Sequence, residues 1–202
     1  MADVPDLEPS AVDGRRARRE RGRLAVLDAM VDLVQEGHHP PAVELVAERA
    51  GVSVASVFRY FDGLDELQDA TTARFLERHA SLLEVGRIGE GRREARITRF
   101  VTARMTLYGS IAPIARFVRA RSSQQPHLAD SLGQMRRRLA EQVGVHFAPE
   151  LAGLRPARRS DVIGAVATLT SFEAWDMLRQ DLGRSDAGVR RIWTSALDAI
   201  LG

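Results

Sequence analysis

Cysteine is absent from this 202-residue chain, so it forms neither a disulfide nor a thiolate metal site, and a reducing cytoplasm is the expected location. No apolar run reaches the roughly 18 residues of a membrane-spanning helix, so we expect no membrane association. The five histidines are scattered along the sequence. The motifs of zinc hydrolases, serine hydrolases and dinucleotide-binding enzymes are missing as well. We therefore expect no catalytic activity, no metal and no cofactor.

Lysine is also absent, so all 29 basic residues are arginine, and the net charge is only +2. Aromatic residues make up only 5% of the chain, whereas hydrophobic residues make up 45%, which favours helices rich in Ala, Leu and Val. The positive charge is unevenly placed, because residues 15–23 contain six arginines and a single acid, Glu20. The preceding residues 1–14 are acidic, contain prolines and lack periodicity, which predicts a disordered tail.

Residues 42–61 contain two short helical patterns separated by a tight turn. Apolar residues recur at helical spacing in the first pattern, at Val43, Val46, Ala47 and Ala50. Gly51 follows at the position where helices commonly end in a left-handed conformation, and Ser53 is a suitable N-cap for the second helix. This arrangement is typical of a helix-turn-helix. Spacing alone fits an ordinary helical hairpin equally well.

The motifs in this stretch resemble the DNA-binding signature of the TetR (tetracycline-repressor-like) family. They are Val46-Ala47-Glu48-Arg49-Ala50-Gly51-Val52-Ser53, Val57-Phe58-Arg59-Tyr60-Phe61 and Asp65-Glu66-Leu67. The resemblance covers about residues 18–80. It implies an all-α fold of about nine helices, with a three-helix DNA-binding head at residues 15–63 and a helical ligand-binding and dimerisation body at residues 64–202.

The resemblance implies that the second helix of the motif enters the major groove of double-stranded DNA. The candidate DNA contacts in and before this helix are Ser53, Val54, Ala55, Ser56, Arg59 and Tyr60. Among them, Arg59 alone can form a bidentate contact with guanine. An arginine arm with Arg15, Arg16, Arg18 and Arg19 is expected to reach phosphates or the minor groove, although a solvated helix start is the alternative.

Three positions depart from the family pattern. Ala42 follows Pro41 where a threonine commonly opens the first helix of the motif, Phe58 replaces a tyrosine, and Leu64 replaces a lysine. Each change removes one hydrogen bond or charge to the DNA backbone. These losses keep a second interpretation open, in which the chain is a helical dimerisation or adaptor protein that has lost specific DNA binding.

Helical periodicity and turn residues predict the other elements. The first helix should cover residues 18–36, and the helix after the motif residues 64–85. A loop is expected at residues 86–93, and Gly109-Ser110 should separate two helices. The expected ranges of the remaining elements are helices at 94–108, 111–121, 127–147, 158–182 and 187–201, with a loop at 149–156. The cluster at residues 136–138 is interpreted as a solvated arginine face.

The family further implies a small-molecule effector site in the body and a homodimer formed by the last two helices, whose apolar patterns need partners. The candidate effector residues are Phe75, Phe100, Arg104, Tyr108, Phe117, Phe172 and Trp175. The candidate dimer-interface residues are Val162, Val166, Leu169, Ile192, Trp193, Ala196, Leu197 and Ile200. Packing within the chain's own core is the alternative for both sets. By resemblance, the expected function is that of a repressor that an unknown ligand releases from a palindromic operator.

Overall fold

The computed structural model describes residues 11–38 and 40–202, which form helices and no strand. This confirms the predicted all-α fold class. Residues 1–10, and with them most of the predicted tail, lie outside the described residues. Within the described part of the chain, no helix has the length and apolar character needed to cross a membrane.

The α-helices are α1 (Ala11–Gln35), α2 (Val43–Ala50), α3 (Val54–Tyr60), α4 (Leu64–Arg78), α5 (Arg93–Ser122), α6 (Pro126–His146), α7 (Ala148–Leu151), α8 (Pro156–Leu169), α9 (Phe172–Asp176) and α10 (Asp186–Leu201). A 3₁₀ turn covers Ala80–Leu83, and a π-helical turn at Met177–Asp181 continues α9.

The chain forms two compact units, which divide between Arg78 and His79. In the first unit α1 packs against α2, α3 and α4. The apolar core of this unit includes Val26, Met30, Leu33, Val46, Ala47, Val57, Phe61 and Leu67. Ion pairs add to the contact between α1 and α4, with the Arg74 guanidinium 2.8 Å from the Asp28 carboxylate. Because of this packing, α4 belongs to the first unit, whereas the sequence places the end of the head at residue 63.

Two helices of the first unit have ends that differ from the expected ones. α1 begins at Ala11 instead of residue 18, so residues 11–14 of the predicted tail are helical. Local propensity does not predict this extension, because residues 11–14 are Ala, Val, Asp and Gly, and only alanine among them strongly favours a helix. α4 ends at Arg78 instead of near residue 85, because Glu84 is extended and the flanking Leu83 and Val85 are buried in the core of the second unit.

α5 is a single helix, so the predicted break at Gly109-Ser110 is wrong. A glycine inside a helix costs about 1 kcal/mol, and Pro113, which removes one hydrogen bond from the ladder, costs about 3 kcal/mol. The helix is buried on both sides of these residues, with Tyr108 at 1% exposure and Ile114 at 4%. Core packing therefore outweighs the two local helix breakers.

The predicted helix at residues 158–182 is interrupted at Thr170 and Ser171. The Ser171 hydroxyl accepts a hydrogen bond from the Ala174 amide at 3.1 Å and so caps a new helix, α9. The Tyr108 hydroxyl donates to the Thr170 carbonyl at 2.8 Å and satisfies a group at the end of α8. The expected loop at residues 149–156 also contains a short helix, α7, because Leu151 is buried in the core.

His146 joins three segments of the second unit. Its side chain is fully buried, its Nδ1 accepts from the Gly89 amide at 3.2 Å, and its Nε2 lies 3.0 Å from the Arg96 carbonyl. These partners fix the neutral tautomer with the proton on Nε2. Burial is the main cause that lowers the pKa of His146, with help from the Arg99 and Arg96 charges, while the bond to the Arg96 carbonyl and the Glu150 charge oppose it.

We expect the folded protein to lose stability below about pH 6.5, where the unfolded histidine takes up a proton that the folded one resists. The contribution of His146 is complete above that pH and is lost as the pH falls towards its lower folded pKa. Urea midpoints at pH 7.5, 6.5 and 5.5 should therefore decrease for the native protein. His146→Asn should show less of this decrease than the control His38→Asn, whose histidine is exposed. Equal pH dependence in both variants would contradict the assignment.

Candidate nucleic-acid interface

The turn between α2 and α3 has a conformation that favours glycine. Gly51 ends α2 with φ 67° and ψ 32°, the left-handed region that a side chain would strain. The Val52 amide donates back to the Ala47 carbonyl at 3.0 Å, which closes the turn tightly. At its other end, α2 begins without a side-chain cap, because Ala42 offers no hydrogen-bond acceptor in its side chain.

Ser53 starts α3 and fixes its direction. Its hydroxyl accepts from the Ser56 amide at 3.2 Å, as an N-cap does. Val57 and Phe61 are 1% and 2% exposed, so the opposite face of this short helix is anchored in the core. The sequence therefore determines both the start of α3 and the face that it presents to solvent.

A chain of polar contacts runs along the exposed edge of α3. The Ser53 and Ser56 hydroxyls are 3.0 Å apart, and Arg59 Nη2 donates to the Ser56 hydroxyl at 2.9 Å. The Arg59 guanidinium also lies 5.5 Å from the centre of the Tyr60 ring. Ala55 is exposed and Val54 is half-buried. The predicted DNA contacts of this helix therefore lie together, and the exposed Arg59 side chain is held by Ser56 and Tyr60.

The predicted arginine arm is the first part of α1. The side chains of Arg15, Arg16 and Arg18 are exposed on this helix. Arg19 reaches α3, where its Nη2 donates to the Arg59 carbonyl at 3.2 Å. This contact places a positive charge at the carboxyl end of α3, where the helix dipole favours it. The hydrogen bond from Arg19 thus joins the basic segment to Arg59, the main candidate for base contact.

Gly22 is a member of the interface that the sequence did not reveal. A Cβ atom at this position of α1 would lie 2.8 Å from Cζ of Tyr60, closer than real Cβ contacts occur. The glycine therefore gives the Tyr60 side chain the space it occupies. The sequence does not predict this contact, because Gly22 and Tyr60 lie on two different helices that are far apart along the chain.

Gly22→Ala should weaken DNA binding by about 30-fold, because each copy in a dimer loses one hydrogen bond worth about 1 kcal/mol. The new methyl group displaces the Tyr60 ring and with it a candidate DNA contact. The matched control is Gly14→Ala on the same helix, where no heavy atom lies within 4 Å of the added Cβ. Gel-shift titrations of both variants test this expectation, and equal affinities would contradict it.

Two of the three departures from the family pattern are large exposed apolar residues. Phe58 is 49% exposed and Leu64 is 50% exposed. Neither side chain offers a hydrogen bond to a phosphate. On this surface the polar donors of α3 are therefore Ser53, Ser56, Arg59 and Tyr60.

Solved structures with a similar fold include a TetR-family transcriptional regulator from Streptomyces coelicolor, with a TM-score of 0.66 and 19% identity over 88% of this chain and 81% of that chain. A putative TetR-family transcriptional regulator from Rhodococcus sp. aligns with a TM-score of 0.65 and 19% identity, over 91% of this chain and 100% of that one. The chain has the TetR-family fold. The multidrug binding protein EbrR complexed with imidazole aligns with a TM-score of 0.50 and 16% identity, over 93% and 95% of the two chains. No protein-family model and no curated protein matches the chain.

The body of this TetR-family fold contains all but one of the predicted effector residues. Phe75 lies on α4 in the first unit and is 1% exposed. The candidates in the second unit are all buried, namely Phe100, Arg104, Tyr108, Phe117, Phe172 and Trp175. The Tyr108 ring makes an edge contact with Phe172, with centroids 5.7 Å apart, and lies 6.2 Å from the Trp175 ring. These rings belong to the apolar core of the second unit.

Half of the predicted dimer-interface residues lie in the core of their own unit. Val162, Val166, Trp193 and Leu197 have exposures of 4% or less. In this fold they are not accessible to a second copy, because they pack against α5 and the other helices of the unit. Ile192 is 37% exposed, and the partly exposed Leu169, Ala196 and Ile200 complete the set. The apolar pattern of α10 thus serves internal packing first.

A groove of about 630 Å³ lies between α5 and α10 in the second unit. Ile97 forms part of its lining, together with Glu94, Thr98, Arg190, Arg191, Thr194, Ser195 and Asp198. The Arg190 side chain donates to the Thr102 hydroxyl at 2.7 Å, and Arg93 pairs with Asp198 at 2.9 Å. No effector candidate lines this groove.

Proposed function

We propose that the chain is a homodimeric, DNA-binding transcriptional regulator of the cytoplasm and that its effector is a small molecule. The observation that carries the proposal is the exposed edge of α3, where Ser53, Ser56 and Arg59 are aligned on a helix that two buried residues anchor. A second helix of this kind reads base edges in the major groove. The adjacent basic start of α1 supplies charge for the phosphates.

Two copies would read a palindrome whose half-sites lie about 34–36 Å apart. We propose that the exposed side of α10, including Ile192, contributes to the contact between copies, together with Leu169, Ala196 and Ile200. Repression with release by ligand is proposed from the family's usual mode. EbrR, which has a similar fold and is a multidrug binding protein in complex with imidazole, supports the idea that such a body accepts small molecules.

The experiment is selection of bound sequences from random duplex DNA at about 100 mM salt, where phosphate contacts still contribute. Recovery of a palindromic site would support the regulator and its two-fold symmetry, and light scattering on the complex would give the number of protein copies. A non-palindromic site would argue against the dimeric arrangement. Failure to enrich any sequence would overturn specific DNA binding.

Phe58 and Leu64 favour a second candidate, a helical adaptor that binds another protein through its head. Both residues are about half exposed at positions where the family usually has phosphate donors. Phe58→Tyr and Leu64→Lys restore those donors. If the native chain shows no measurable DNA binding and the double variant binds DNA, the adaptor function of the native chain is supported. If the native chain binds a selected site, the adaptor function is excluded.

A further inference from the structure

The second unit contains two buried arginines with opposite surroundings. Arg96 is 7% exposed and forms an ion pair with the equally buried Glu150. Arg104 is 2% exposed, yet its contacts in the described part of the chain are to uncharged groups. Its Nη1 donates to Gln142 Oε1 at 3.0 Å, its Nη2 donates to the Leu139 carbonyl at 2.9 Å, and it lies 4.6 Å from the centre of the Phe100 ring.

A buried guanidinium without a counter-charge is costly to keep. Arginine stays protonated at neutral pH, so the charge cannot be removed by loss of a proton. Burial lowers the pKa of Arg104, and Tyr108 is the ionisable group that acts on it in the opposite direction. A residue of this kind, placed where Leu or Met would fit, indicates a role other than packing.

Two hydrogen-bond donors that lack a partner among the described residues lie close to Tyr108, the neighbour of Arg104 on α5. Trp175 Nε1 and Trp193 Nε1 are buried donors without a partner in the described part of the chain. Both indole rings pack against Tyr108, with centroids 6.2 Å and 6.3 Å from it, and Tyr108 lies one helical turn from Arg104. Excess donors and an excess positive charge therefore occur in one apolar region.

We propose that Arg104 binds the negative charge of the effector and that the effector is a small organic carboxylate with an apolar or aromatic body. A carboxylate matches the guanidinium in geometry and charge, and the Phe100 and Tyr108 rings suit the apolar part. This proposal rests on the proposed function, since it specifies the chemical class of the effector. In this proposal Arg104 alone selects for the negative charge of the ligand.

Gln142 gives the proposed site a connection to the start of the second unit. Its Oε1 accepts from Arg104, and its Nε2 donates to the Leu83 carbonyl at 2.6 Å. Gln142 is only half-buried, so its side chain can move when a carboxylate takes its place on Arg104. The Leu83 carbonyl would then lose its partner. Leu83 ends the 3₁₀ turn that follows α4 in the chain, so ligand binding would loosen the segment next to the DNA-binding unit.

The first test needs no ligand and compares Arg104→Met with the matched control Arg96→Met by thermal unfolding. Arg104→Met removes an unpaired charge and should raise Tm by roughly 5 °C. Arg96→Met leaves Glu150 buried without its partner and should lower Tm by roughly 10 °C. A fall in Tm or a failure to fold for Arg104→Met would show that Arg104 stabilises the fold, and would overturn the proposal.

The second test measures ligand binding in the absence of DNA. The probes are benzoate and phenylacetate at millimolar concentration, with benzamide and phenylacetamide as neutral counterparts. A carboxylate should raise the Tm of the native protein and change the fluorescence of the two tryptophans, whereas its amide and the variant Arg104→Gln should show neither effect. No response to either carboxylate, or a response that persists in Arg104→Gln, would overturn the proposal. Because no DNA is present, this failure is distinct from a failure of operator binding.

Discussion

Arg59→Ala is expected to reduce binding to the selected operator by at least about 30-fold. A bidentate arginine–guanine contact contributes about 1–3 kcal/mol, and a symmetric dimer loses it twice. Arg59 is suited to this role because its guanidinium is exposed and is already held by the Ser56 hydroxyl and the Tyr60 ring. Less side-chain freedom is then lost on binding. Titration by fluorescence anisotropy against the operator and against a scrambled duplex measures the effect.

The scrambled duplex separates base reading from simple charge attraction. If Arg59 reads a base, Arg59→Ala weakens operator binding much more than it weakens binding to the scrambled sequence. Arg59→Lys is the matched control, because lysine keeps the charge and lacks the planar fork. It should retain affinity for the scrambled duplex and lose most of the preference for the operator. Equal losses on both duplexes would assign Arg59 to a phosphate and contradict base reading.

The helix-turn-helix could be derived from the sequence because its determinants are local. Gly51 takes the left-handed conformation that its position requires, and Ser53 caps α3 as expected. Val57 and Phe61 are buried, as the periodicity implies. The left-handed glycine and the serine cap depend on neighbours within a few residues, and the apolar periodicity marks the face that is buried, so the local sequence contains the signal.

Helix ends in the second unit depend on contacts between distant segments and were harder to derive. α5 continues through Pro113 because side chains on both sides of the proline are buried against other helices. The break between α8 and α9 is stabilised by Tyr108, which donates to the Thr170 carbonyl across a large separation in sequence. Local propensity gave the wrong outcome at both places, since tertiary packing overrides even the cost of about 3 kcal/mol of a proline inside a helix.

The predicted ligand and interface residues show a related limit. An apolar stripe indicates that a helix needs a partner, but it does not say whether that partner is the same chain. Trp193 and Leu197 are fully buried within their own unit, so the internal partner is present. In the same way, the sequence placed Arg104 among the candidate effector residues, while its uncharged partners on α6 could be learned only from the structure.

Neutralising Arg15, Arg16 and Arg18 together by glutamine should flatten the salt dependence of DNA binding. Each phosphate contact contributes about 0.9 to the slope of log K against log salt, so a dimer that loses three per copy should change its slope by up to about 5. Arg19 is left in place because it contacts the Arg59 carbonyl and supports α3. Affinities measured between 50 and 200 mM salt give the slope.

The matched control replaces the three arginines at residues 136–138 of α6 by glutamine. It removes the same charge from the protein, and Arg136 pairs with Glu173 in the second unit. If the start of α1 contacts phosphates, the first triple variant changes the slope and the control leaves it unchanged. Equal changes in both would mean that only the total charge matters and that the start of α1 makes no specific phosphate contact. An unchanged slope in both would leave α3 and its serine caps as the source of phosphate affinity, and the basic start of α1 would then be a solvated helix.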